Sequence, residues 1–146
     1  MNGPVYVHGG GKIHVGAEVK ITSLHFNRVD IGVEADAKGV WIGDNTFINK
    51  GVRVGCTQEI RIGDRCQIGD ECVIIDSDYH GVAGLPTKEQ PIIIGSGVWL
   101  ATRVIVLKGV TIGSNTIVGA GSIVTKSLPP DCFAAGVPAQ VLRSLN

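Results

Sequence analysis

His80 is the residue in this chain best suited to moving a proton. Its imidazole has an unperturbed pKa of about 6.5, so it can take up and release a proton near neutrality. It stands at the end of Asp76-Ser-Asp-Tyr-His80, with Asp76, Asp78 and Tyr79 as polar neighbours. The same residue also fits a solvated loop position with no task. The sequence has no Gly-x-Ser-x-Gly elbow, and no Ser or Cys has a base beside it, so an acyl-enzyme is not indicated. Lys126 offers a cation to a phosphate or simply to water. Asn49 follows Ile48 and Trp99 precedes Leu100. If those aliphatics point inward, both polar neighbours point outward, towards a ligand, a second subunit or solvent. His8 and His14 lie six apart, but a metal site there would need a third ligand that the sequence does not supply.

What must position these residues is a six-residue period. From Ile94 to Val124 a branched aliphatic recurs at every sixth position: Ile94, Leu100, Val106, Ile112, Val118, Val124. Gly follows several of them, and a small or branched residue stands two places before each. Neither a helical period of about 3.6 nor a strand period of about 2 fits this spacing. Hexapeptide repeats of a parallel β-helix do, each repeat supplying one flat face. Three faces close a coil of eighteen residues, so Ile94 should stack on Ile112, Leu100 on Val118 and Val106 on Val124.

Upstream the ladder reads Ile42, Ile48, Val54, then Ile62, Ile68, Ile74. The step of eight from Val54 to Ile62 places two extra residues in the corner Thr57-Gln58. Residues 1–40 carry irregular spacing and predict one or two imperfect coils. Between Ile74 and Ile94 the next aliphatic arrives fourteen residues late. The segment of about 76–91 is polar and punctuated by Gly and Pro, so it should leave the prism as a loop, a common carrier of function. The tail, 127–146, predicts a short terminal helix within Ala134–Arg143.

Composition agrees with one domain over residues 1–146. Glycine is abundant at 21 residues and aromatics are scarce at 5%, as narrow coils with tight corners require. Thirteen basic residues balance thirteen acidic ones, which argues against a general nucleic-acid binder. No apolar run approaches the roughly 18 residues of a membrane span, and no signal peptide opens the chain. Cys56, Cys66, Cys72 and Cys132 show no metal-binding spacing. Cys66 and Cys72 precede Ile68 and Ile74 by two, an inward position, so buried reduced thiols and a cytoplasmic location are expected.

Several segments resemble hexapeptide-repeat acyltransferases: Ile94-Gly-Ser-Gly-Val-Trp-Leu-Ala101, Leu107-Lys-Gly-Val-Thr-Ile-Gly113, Val118-Gly-Ala-Gly-Ser-Ile-Val-Thr-Lys126 and Ala134-Ala-Gly-Val-Pro-Ala139. The resemblance is to the sugar O-acetyltransferase branch (galactoside, maltose and nodulation acetyltransferases and those of surface-polysaccharide clusters). It runs from about Trp41 to Arg143. It does not extend over the first forty residues, where those enzymes carry a helical segment that this chain is not expected to have. The resemblance implies an all-β, left-handed parallel β-helix, an exception to the usual right-handed crossover. It also implies a homotrimer with acetyl-CoA between prisms and no metal. His80 would be the general base, taking the proton of an acceptor hydroxyl that attacks the thioester directly. A positioned base contributes roughly 10²–10⁴-fold. The backbone N–H of Thr102 would meet the oxyanion, Ala120 would touch the pantetheine arm, and Thr125, Lys126 and Arg143 would line the phosphate end. Asn49, Asp78 and Trp99 would stand on the acceptor side. Ala101 and Gln140 depart from the family pattern, where Gly and a basic residue are usual.

Alternatives stay open at this point. N-acetylation of an amino-sugar nucleotide uses the same machinery. Serine acetylation is disfavoured, because that branch carries a large helical amino-terminal domain. A zinc-dependent β-helix of the gamma carbonic anhydrase kind would need three His in an arrangement that His8, His14, His25 and His80 do not reproduce. A non-catalytic structural trimer is the remaining alternative. The acceptor itself, a small molecule or a glycan, is not encoded in any motif recognised here.

Overall fold

The computed structural model describes residues 3–146 as a parallel β-helix of left-handed sense, with no α-helix among the described residues. Each coil contributes three short strands. The first holds β1 (Tyr6–His8), β2 (Ile13–Val15) and β3 (Lys20–Ile21). The second holds β4 (Asp30–Val33), β5 (Gly39–Ile42) and β6 (Phe47–Ile48), and the third β7 (Arg53–Cys56), β8 (Glu59–Ile62) and β9 (Gln67–Ile68). Then come β10 (Val73–Ile75), β11 (Ile92–Ile94) and β12 (Trp99–Leu100), followed by β13 (Ile105–Val106), β14 (Thr111–Ile112) and β15 (Ile117–Val118). The last elements are β16 (Ile123–Val124), β17 (Cys132–Gly136) and β18 (Ala139–Ser144).

Every third strand joins the same sheet. The first sheet runs β1-β4-β7-β10-β13-β16, the second β2-β5-β8-β11-β14, and the third β3-β6-β9-β12-β15-β17-β18. The expected stacking is observed residue for residue. Ile94 pairs with Ile112, Leu100 with Val118 and Val106 with Val124. Ile42 pairs with Ile62, Ile48 with Ile68 and Val54 with Ile74, so the extra residues do sit at the corner of Thr57 and Gln58. These columns are almost wholly removed from water. Each buried Ile or Leu contributes roughly 1.5–3 kcal/mol.

The first coil is a poor lid. β1 is exposed along its length, and Val7 and Val15 lie open to solvent. The carboxy-terminal end differs from expectation. Ala134–Arg143 forms no helix; β17 pairs in parallel with β15 and β18 returns antiparallel along β17. Cys132 and Ala134 are buried while Phe133 and Ala135 are not, an alternation that belongs to a strand. Gly136 (φ 112°) and Pro138 make the turn, and neither favours a helix interior.

Candidate active site

The prism has three corner columns, and each is built differently. The first, between the first and second sheets, carries the inserted loop. The second, between the second and third sheets, has several of its outward N–H groups capped by side chains. The third, between the third and first sheets, opens into a groove.

At the third corner Asn49, Asp70, Trp99, Thr102 and Ala120 line a cavity of about 240 Å³. Its wall is made by the outward residues of β6, β9 and β12, because Ile48, Ile68 and Leu100 occupy the interior. Trp99 is half exposed, and Asn49 is partly buried with its Oδ1 accepting from the N–H of Lys50 at 2.9 Å. Asp70 adds no free charge, because Lys50 Nζ lies 2.5 Å from its carboxylate. Inside the corner, Cys72 Sγ donates to the carbonyl of Ala101 at 3.1 Å, and Ser122 Oγ donates to that of Gly119 at 2.6 Å. In a trans peptide the carbonyl and the following N–H point in opposite directions. Gripping these carbonyls from within therefore turns the N–H groups of Thr102 and Ala120 outward. Among the described residues, no oxygen accepts from either N–H. Burial pushes the Cys72 thiol up to about 11, so the donor keeps its proton.

The loop at the first corner is tied down at its root and exposed beyond it. Asp76 is fully buried. One carboxylate oxygen accepts from the N–H and the hydroxyl of Thr57, at 2.7 and 2.8 Å. The other accepts from the N–H groups of Gln58 and Glu59, each at 2.8 Å. Ser77 Oγ accepts from the N–H of Tyr79 at 2.9 Å, and Lys108 Nζ reaches Asp78 at 2.5 Å. Tyr79 takes a left-handed φ of 58° and lays its hydroxyl over Gly55, where a Cβ would strike it. Partial burial, helped by the charge of Asp76, raises the Tyr79 phenol above its ordinary range. His80 follows, exposed, with its N–H on the carbonyl of Asp78 at 2.7 Å. Among the described residues, nothing hydrogen-bonds its ring.

One chain thus gathers Asn49, Trp99, Thr102 and Ala120, while His80 and Asp78 stand at another corner. Thr125 and Lys126 follow β16 and are exposed, as is Arg143 on β18, whose guanidinium lies 5.8 Å from the Phe133 ring centre. These three occupy the carboxy-terminal end of the prism. His8 pairs with Asp30 at 2.9 Å and His14 stacks on Trp41 at 4.9 Å. Among the described residues, no group of three His, Cys, Asp or Glu could hold a metal ion. The sequence reading missed Asp76 as an anchor; the available signal was an acidic residue at the loop root, one coil beyond a two-residue insertion.

Fold and repeat together define a hexapeptide-repeat transferase, and comparison with known proteins places the chain in the hexapeptide-repeat acetyltransferase family. Residues 91–126 match the family described as bacterial transferase hexapeptide (six repeats). An Escherichia coli K12 protein named as an O-acetyl transferase of lipopolysaccharide biosynthesis is 30% identical over 98% of this chain and 77% of its own length. The galactoside O-acetyltransferase of the same organism is 36% identical over 73% of this chain, which spans 55% of that enzyme. The hexapeptide-repeat acetyltransferase VCA0836 of Vibrio cholerae, solved with acetyl coenzyme A, superposes with a TM-score of 0.69 at 31% identity, covering 96% of this chain and 71% of that one. No helix among the described residues is long and apolar enough to cross a membrane.

Proposed function

We propose that the chain transfers an acetyl group from acetyl-CoA to a hydroxyl of a sugar or glycan precursor, with His80 as general base. The observation that carries the reading is the third corner, where two outward N–H groups with no acceptor among the described residues face a cavity of about 240 Å³. His80 takes the proton of the acceptor hydroxyl, whose oxygen then attacks the thioester carbonyl. The N–H of Thr102 receives the oxygen on which negative charge develops. As the carbon–sulfur bond breaks, His80 returns its proton to the departing thiolate. Ala120 meets the pantetheine arm through its backbone, and Thr125, Lys126 and Arg143 hold the phosphates at the exposed end. Asn49, Trp99 and the free carboxylate oxygen of Asp78 contact the acceptor.

Because loop and groove occupy different corners, His80 of one chain must face the groove of another. A homotrimer meets that need by giving three equivalent crevices. Buried, unpaired thiols and dependence on acetyl-CoA support a cytoplasmic site of action. The test is acetyl-CoA consumption across sugars, nucleotide sugars and amino sugars, with His80→Ala beside the wild type. Turnover with a hydroxyl acceptor should drop by roughly 10²–10⁴-fold in the variant. Undiminished turnover would remove His80 from the mechanism, and preference for an amine would make the enzyme an N-acetyltransferase.

A further inference from the structure

Between Ile42 and Val124 the two interruptions of the six-residue period lie at the same corner, one coil apart. The extra residues at Thr57 and Gln58 widen the turn of the third coil. That widening presents the N–H groups of Thr57, Gln58 and Glu59 and the Thr57 hydroxyl to a single point. Asp76 fills the point, and all four donors lie 2.7–2.8 Å from its carboxylate. The backbone of Asp76 is held as well: its N–H donates to Gly55 at 3.3 Å, and its carbonyl accepts from Gln90 at the far end of the loop, at 3.0 Å. Both ends of the insertion therefore converge on one buried residue.

From that anchor every residue up to the histidine is fixed in turn. Ser77 holds the N–H of Tyr79, Asp78 holds Lys108, and Tyr79 is seated over Gly55. Residues 81–91, by contrast, are exposed throughout. A base four residues from its anchor, on a loop whose farther half is exposed, depends on that anchor for its place.

We propose that Asp76 is a positioning residue for His80, acting through the widened corner at Thr57–Glu59. The proposal rests on reading His80 as the base. The carboxylate is required as such, since an amide has one oxygen and in either orientation would turn its NH₂ towards at least one backbone N–H donor.

The test compares wild type, Asp76→Asn, His80→Ala and the double variant, with acetyl-CoA as donor and p-nitrophenyl glycosides as acceptor probes. Asp76→Asn should lower kcat by about 100-fold, the scale of a misplaced catalytic group, with KM for acetyl-CoA unchanged. The double variant should be no slower than His80→Ala, because Asp76 acts only through the imidazole. A wild-type kcat in Asp76→Asn, or effects that multiply in the double variant, would overturn the proposal while leaving His80 as base. Full turnover in His80→Ala would instead overturn the function on which it stands. Should Asp76→Asn fail to fold, Thr57→Val removes one of the four donors and keeps the backbone. It should then lower kcat by about 3- to 10-fold at unchanged KM, and an unchanged kcat would refute the positioning role.

Discussion

The second and third corners start from the same interior and end differently. At the second corner Thr46 grips the carbonyl of Gly63 at 2.8 Å and Cys66 that of Gly95 at 3.1 Å, as Cys72 and Ser122 do at the third. Both columns therefore turn peptide N–H groups outward. At the second corner side chains collect three of them, while that of Ser96 finds no acceptor among the described residues. Asp44 accepts from Ala17, Asp64 from Asp44, and Ser96 from Asp64, at 2.7, 2.9 and 3.1 Å. At the third corner the N–H groups of Thr102 and Ala120 stand in the equivalent places and find no acceptor among the described residues. A short acceptor side chain on the next coil separates a capped N–H from a receptive one. The repeat makes the donors, and the residue after the turn decides whether they are used for stability or left for a ligand.

The comparison can be broken most severely at Thr102. Thr102→Pro removes the outward N–H, so no fold-stabilising bond is lost, yet kcat should fall by about 10²–10³-fold. A variant that melts like the wild type and turns over normally would show that this donor is idle. Lys126→Ala, beyond β16 at the carboxy-terminal end of the prism, should raise KM for acetyl-CoA several-fold and spare kcat. Equal KM in steady-state assays would place the phosphates elsewhere.

At the capped N–H groups of the second corner the expected outcome reverses. Asp64→Ala frees the N–H of Asp44 and should lower stability by about 1 kcal/mol in denaturant titration, with kcat unchanged. The smallest effect concerns the interior thiols. Burial raises Cys56 to about 12, assisted by the charge of Asp76, and Cys72 to about 11. Unfolded thiols ionise near 8.5. Their protonated burial therefore contributes full stability below that pH, and the contribution is lost as pH rises towards 11–12. Iodoacetamide at pH 8 should leave both unmodified until the chain unfolds, and rapid labelling of the native protein would contradict their burial.

The regular part of this molecule is written plainly in its sequence, because one inward aliphatic per face is repeated often enough to fix register. Even the two-residue widening at Thr57 is visible as a broken count. Ala134–Arg143 misleads because small residues suit a helix locally, while the decision belongs to β15, which offers β17 a parallel edge. Asp76 is hidden for a related reason. A polar residue beside a polar loop reads as solvated, and only contacts with a turn nearly twenty residues earlier show it to be buried. For the site, residue types and outward positions were legible. The direction of the Thr102 peptide was not, since it follows from a hydrogen bond made by a thiol on the preceding coil.

The hairpin of β17 and β18 has a consequence for the edge of the third sheet. Each turn of a solenoid is a template for the next, and a prism of bare parallel edges invites copies to grow onto it end to end. By doubling back, β18 offers the third sheet an edge of opposite polarity, on which an incoming coil finds no matching ladder. The reversal closes the parallel ladder of the third sheet.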